Sequence, residues 1–150
     1  MNAPQRILKI ARWHVAFGLV FAVLGMVLGI YMASSHNHTQ HVTHAHILLL
    51  GFVVSVLYGV VYRLWLPAAS AMLSTVQTGL HQAGTVGIVA GLFLLYGGFA
   101  SDTALGPVLG VSSICALLGA ALILYQFLRA PAARPILAGG NERLESEPRF

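Results

Sequence analysis

Four long apolar stretches, separated by short polar breaks, dominate the chain. They run from about Trp13 to Ala33, His44 to Leu64, Leu73 to Gly97 and Ala104 to Phe127. A helix that crosses a bilayer needs about 20 mostly apolar residues, and each stretch supplies them. Period-two alternation is absent, which argues against a β-barrel. The pattern predicts an all-α, polytopic membrane protein, a bundle of four transmembrane helices over residues 1–128. The first stretch is too long for a signal-peptide core and lacks a small-x-small cleavage site. After Phe127 the character changes. Pro131, Pro135, Gly139, Gly140 and three glutamates predict a flexible cytoplasmic tail over residues 129–150.

Helical period sorts the faces. At about 100° per residue, His44 shares a stripe with Leu48, Gly51, Ser55, Tyr58 and Tyr62. Small and polar residues on one stripe mark a helix–helix contact in a membrane. His46 lies about 200° away, with Leu50, Val53, Leu57 and Leu64. The two histidines of His44-Ala45-His46 therefore point to opposite sides, suited to two sites rather than one ion. In the first helix His14 aligns with Gly18, Gly25, Gly29 and Met32. In the third, His81 aligns with Gln77, Thr78, Thr85, Ile88 and Leu92. Both stripes are expected to face the bundle interior. At a rise of ~1.5 Å per residue, His46 and His81 of one protomer differ in depth by roughly 10–18 Å.

Composition narrows the class. Of 150 residues, 57% are hydrophobic and only 8% charged. A soluble domain is usually about a quarter charged. Disorder and an ordinary cytoplasmic domain are excluded. The eight basic residues, set against four acidic ones, do not signal a nucleic-acid partner despite a pI of about 9.7. They signal orientation. Arg6, Lys9 and Arg12 precede the first span, Arg63 ends the second, and Arg129, Arg134, Arg143 and Arg149 follow the fourth. The connections Ser34–Thr43 and Gly98–Thr103 contain no Lys or Arg. The positive-inside rule then predicts both termini in the cytoplasm. The His-rich connection would be periplasmic, in a bacterial inner membrane. Trp13, Trp65 and Tyr31 sit at the expected aromatic belts.

Histidine is the anomaly, with seven in so apolar a chain. Inside a membrane a histidine is costly unless it is paired or ligated. His36, His38, His41, His44 and His46 lie at or near the outer boundary, while His14 and His81 lie toward the inner half. His36, His38 and His41 are spaced closely enough to hold copper or zinc, which imidazole suits. A solvated polar loop is the alternative. The lone Cys115 excludes an intramolecular disulfide and a thiolate cluster.

The run Thr43-His44-Ala45-His46-Ile47-Leu48-Leu49-Leu50-Gly51-Phe52, continued to Arg63-Leu64-Trp65-Leu66-Pro67, resembles the His-x-His helix of haem–copper oxidase and nitric oxide reductase subunit I. It looks closest to small four-helix proteins of the subunit I-like type, and it is also similar to the His-Ala-His motif of NnrS-type membrane proteins. Gly25-Met26, Gly29-Ile30-Tyr31-Met32 and Leu80-His81-Gln82-Ala83-Gly84 extend the resemblance over about residues 25–92. It implies a b-type haem. In those enzymes the first histidine ligates a high-spin haem and the second a low-spin haem, on opposite faces. His44 and His46 would take these places, with His81 or His14 as further candidate ligands. The oxidase subunit is three arcs of four helices, so a chain of one arc implies a homo-oligomer, a dimer or trimer. A respiratory-chain partner fits the same picture.

Other features of the large enzymes are missing. There is no adjacent His-His pair, no His-Pro-Glu, no His-x-x-x-Tyr and no carboxylate inside a span. The expected activity is therefore electron transfer or O2/NO binding, not complete O2 reduction. The rival reading is a copper- or zinc-handling, or respiratory-complex assembly, protein that works through His36, His38 and His41. For each histidine the plain alternative is a hydrogen bond, with His81 clasped to Gln77 or Thr85 and His14 resting at the interface.

Overall fold

The computed structural model describes residues 3–130. Most of the predicted tail, with Arg134, Arg143 and Arg149, lies outside the described residues. The described chain is all-α, with four long helices. They span Ala3–Ser35, His41–Leu64, Ala71–Tyr96 and Asp102–Arg129. All four are long and apolar enough to cross a membrane. At most 28% of the apolar window of any helix is buried inside the protein. Much of the rest is outward-facing Leu, Val, Ile and Phe, far more than a soluble monomer exposes and what a bilayer requires. The chain is a multi-pass membrane protein.

The first helix begins ten residues before the predicted span. Arg6, Lys9 and Arg12 are exposed on its outer side, while Ile7 and Ala11 are buried on its inner side. Those two meet Tyr62, Leu66 and Ile123 in an apolar cluster, and this contact carries the helix on to Ala3. Its buried stripe continues through His14, Gly18, Phe21, Gly25 and Met32, close to the predicted one. The helix stops where His36 turns left-handed (φ 53°), a common helix ending.

The third helix touches the other three. Its buried face is Ser74, Gln77, His81, Gly84, Thr85, Ile88 and Gly91, nearly all small or polar. Such faces let membrane helices approach closely. A Cβ at Gly84 would lie 2.6 Å from the Ala116 nitrogen and 2.7 Å from the Ser112 carbonyl on the fourth helix. Between the first and second helices, a Cβ at Gly59 would meet the Ala11 carbonyl at 2.9 Å.

The second helix departs from the regular α form expected of it. Ile47–Val54 is π-helical over eight residues. A π turn closes i→i+5 and takes more residues than an α turn. Buried positions consequently recur every fourth residue, at Thr43, Ile47, Gly51, Ser55 and Gly59. In an unbroken α-helix such a row would rotate by about 40° per step. Ile47 thus replaces Leu48 on the buried row, and Tyr58 lies beside it, half-buried.

Candidate functional site

The histidines divide between the two ends of the bundle. At the His-rich end, the connection between the first two helices is tied by its own side chains. Ser34 and Ser35 donate to the Tyr31 carbonyl, and Asn37 Oδ1 accepts from the Thr39 amide at 3.0 Å. His41 Nδ1 donates to the His38 carbonyl at 2.9 Å. This turns the His41 ring toward its own backbone. Among the described residues no three His, Cys, Asp or Glu side chains converge on a point where a metal ion would sit. His36, His38 and His41 are not brought together.

His44 and His46 leave the second helix on different sides, as helical period predicts. The His44 imidazole lies over Gly29 of the first helix, where a Cβ would come within 3.0 Å of its Cε1. Its Nδ1 is buried and has no hydrogen-bond partner. His46 is half-buried, and the neighbouring turns present exposed Leu49, Val53 and Leu57. Its Nδ1 donates to the Val42 carbonyl at 2.9 Å. That bond places the ring proton on Nδ1 and leaves Nε2 with a lone pair. Beside these histidines, buried Gln40 donates to the Phe93 carbonyl at 3.0 Å and accepts from Thr43 at 2.6 Å. This clasp joins the second helix to the third at the same level.

Toward the opposite end, His14 and His81 come together. Both are almost wholly enclosed, with 0% and 1% exposure. Their ring centroids are 5.8 Å apart. His81 Nε2 is 2.8 Å from Ser55 Oγ, so its clasp is to the second helix and not to Gln77 or Thr85. Gln77 instead serves His14, with Oε1 3.1 Å from His14 Nε2. The side chain of His14 is enclosed by the bundle, about three turns from the start of its helix. From Gln77 a chain of polar side chains runs on through the core. Tyr62 donates to Gln77 Oε1 at 3.1 Å, Gln126 Nε2 donates to Tyr62 at 3.1 Å, and Ser74 donates to Gln126 Oε1 at 2.9 Å. Tyr58 packs edge-on against His81 at 4.9 Å and against His14 at 5.8 Å.

Family models, curated proteins and solved structures give no match to this chain. The site therefore has to be read from its own geometry.

Ser55 lies nine positions beyond His46 on the same helix, a separation of at most about 13 Å at the α rise and less through the intervening π turns. His81 sits at the level of Ser55. His46 and His81 of a single chain therefore stand at different depths. Gln126 and Ser74 escaped the reading of the sequence. The available signal was weak, a glutamine inside an apolar run, and it gave no partner.

Proposed function

We propose that this protein binds a b-type haem at its His-x-His end and serves electron transfer or O2/NO binding, as one four-helix arc of the oxidase subunit would. The observation that carries the reading is the state of His46. Metal-ligating histidines almost always give their second ring N–H to a carbonyl or carboxylate, which orients the ring and makes it more basic. The Val42 carbonyl does this for His46 and leaves Nε2 available on a half-exposed flank. Exposed Leu49, Val53 and Leu57 beside it offer an apolar surface against which a flat macrocycle can lie. His44 turns the other way, and its orphaned buried Nδ1 is the second candidate ligand, on the inward side.

When bound, the haem would supply a one-electron couple or an open position for a diatomic gas. The chain's own part is to hold the His46 ring in one tautomer and one orientation. A flank that faces outward has room for a second ligand only from beyond this chain. This favours a homo-oligomer, a dimer or trimer, with the haem between copies, or a respiratory-chain partner. The copper or zinc reading of the loop lacks support of its own, because among the described residues His36, His38 and His41 do not converge on one point.

The test is optical. Full-length protein purified in mild detergent from haem-replete cells is expected to show a Soret band and, when reduced, split α and β bands. His46→Ala is expected to remove most of the haem while leaving helicity unchanged. A colourless wild-type protein, or a His46→Ala variant with the parent spectrum, would overturn the proposal.

A further inference from the structure

The inner pair of imidazoles has no role in the proposed haem end. His14 and His81 come from the first and third helices, and each uses only one of its ring nitrogens. His14 Nε2 faces Gln77 Oε1 and Thr78 Oγ1, both at 3.1 Å. The Thr78 hydrogen already goes to the Ser74 carbonyl at 2.7 Å. Thr78 can therefore only accept, and the ring proton of His14 lies on Nε2. Ser55 Oγ stands 2.8 Å from His81 Nε2 and 3.4 Å from the Leu50 carbonyl. With the Ser55 hydrogen turned to Leu50, His81 Nε2 donates to Ser55, and both rings then offer an Nδ1 lone pair. Nδ1 of each ring is buried and without a hydrogen-bond partner.

A buried imidazole nitrogen without a partner is unfavourable unless something electron-poor meets it, and here two such rings are neighbours. Each ring is also held from behind by an oxygen on its other nitrogen, which is the support that metal-ligating imidazoles have. An ion bound at about 2.0–2.1 Å by each of two imidazoles sets their centres roughly 6 Å apart. The observed separation is 5.8 Å. Close packing leaves no slot for a macrocycle here, since a Cβ at Gly119 would already meet the His81 backbone at 3.1 Å. Of the metal groups that imidazole holds, a bare ion is the smaller alternative.

The donor set selects the ion. Two neutral imidazoles supply no negative charge. Among the described residues the one carboxylate is Asp102, at the far end of the fourth helix. The charging cost of an ion in a medium of low dielectric rises with the square of its charge, so a divalent ion is heavily penalised. A monovalent copper ion avoids most of that penalty, suits imidazole nitrogen, and is content with two ligands in line. We propose that His14 and His81 hold one cuprous ion between their Nδ1 atoms, in the inner half of the bundle and separate from the His46 site.

The experiment uses full-length protein in detergent under anaerobic, reducing conditions. His36, His38 and His41 are replaced by Ala in every sample, so that loop copper is not counted. Cuprous ion is supplied as its acetonitrile complex, and excess is removed by a cuprous-specific chelator. Expected is one copper retained per chain. X-ray absorption at the copper edge should show two nitrogen ligands near linearity, with imidazole scattering. His14→Gln and His81→Gln should each lower retention at least tenfold. Loss of all copper to the chelator, three or more light ligands, or full retention in either variant overturns the proposal. Should both variants fail to fold, the absorption spectrum of the parent decides alone, on the same ligand criterion. His46→Ala is expected to keep the copper. A colourless protein that still binds one cuprous ion would defeat the haem reading and leave this one standing, and a red protein without copper would do the reverse.

Discussion

Tyr62 shows how much rests on single side chains in this bundle. It is fully buried, its hydroxyl donates to Gln77 and accepts from Gln126, and its ring stacks on His14 at 5.8 Å. Removing the hydroxyl in Tyr62→Phe takes one partner from each amide, leaving His14 to Gln77 and the Leu122 carbonyl to Gln126. The net loss of an intramolecular hydrogen bond costs about 0.5–1.5 kcal/mol. Tyr62→Phe is therefore expected to lower the unfolding midpoint in detergent without changing helix content by circular dichroism. An unchanged midpoint would mean that this chain of hydrogen bonds adds nothing to stability. The residue scale is also where the sequence was least legible. Gln77 and Tyr62 could be placed on inward stripes, but nothing in the run Ala120–Phe127 announces that Gln126 bonds across to the second helix. A hydrogen bond between residues 64 positions apart depends on depth and neighbour, and the local period carries neither.

Among the elements, the third helix has the lowest mean hydropathy of the four spans, 1.4 against 2.1 to 2.4. It is also the helix that touches all the others. The two facts belong together. A helix at the centre meets protein on several sides, and small and polar residues let it do so. Gly84 is the clearest case, with no room for even a Cβ against the backbone of the fourth helix. Gly84→Leu is expected to push these helices apart and to cost about 1–3 kcal/mol, the usual range for overpacking, read as a lower unfolding midpoint. Gly79, with open space around its missing Cβ, gives the control. Gly79→Leu is expected to leave the midpoint nearly unchanged. The π segment of the second helix belongs to this scale too. It was invisible in a sequence read at one helical period, yet it decides that Ile47 and not Leu48 follows Thr43 into the core.

For the whole molecule, the antiparallel order of the helices brings Arg6, Lys9, Arg12, Arg63 and Arg129 to one end and the His-rich connection to the other. By the positive-inside rule the basic end is expected in the cytoplasm of a bacterial cell. Single cysteines in a Cys115→Ala background test this. Thr39→Cys is expected to react with a membrane-impermeant maleimide in intact spheroplasts, and Ala68→Cys only after lysis. The reverse pattern would place the histidines inside and remove the basis for a periplasm-facing haem end.

The sequence by itself determined the four spans, the inward stripes of the first and third helices and the opposition of His44 and His46. Each follows from composition or from helical period, and these are local properties of a chain. Tertiary structure decided which histidines meet. His14 and His81 pair although they lie 67 positions apart, while His44 and His46, two apart, serve different sides. That outcome depends on which helices are neighbours, how deep each one sits and where a ladder changes from α to π. It is set by packing between elements, and the pattern within one element does not contain it.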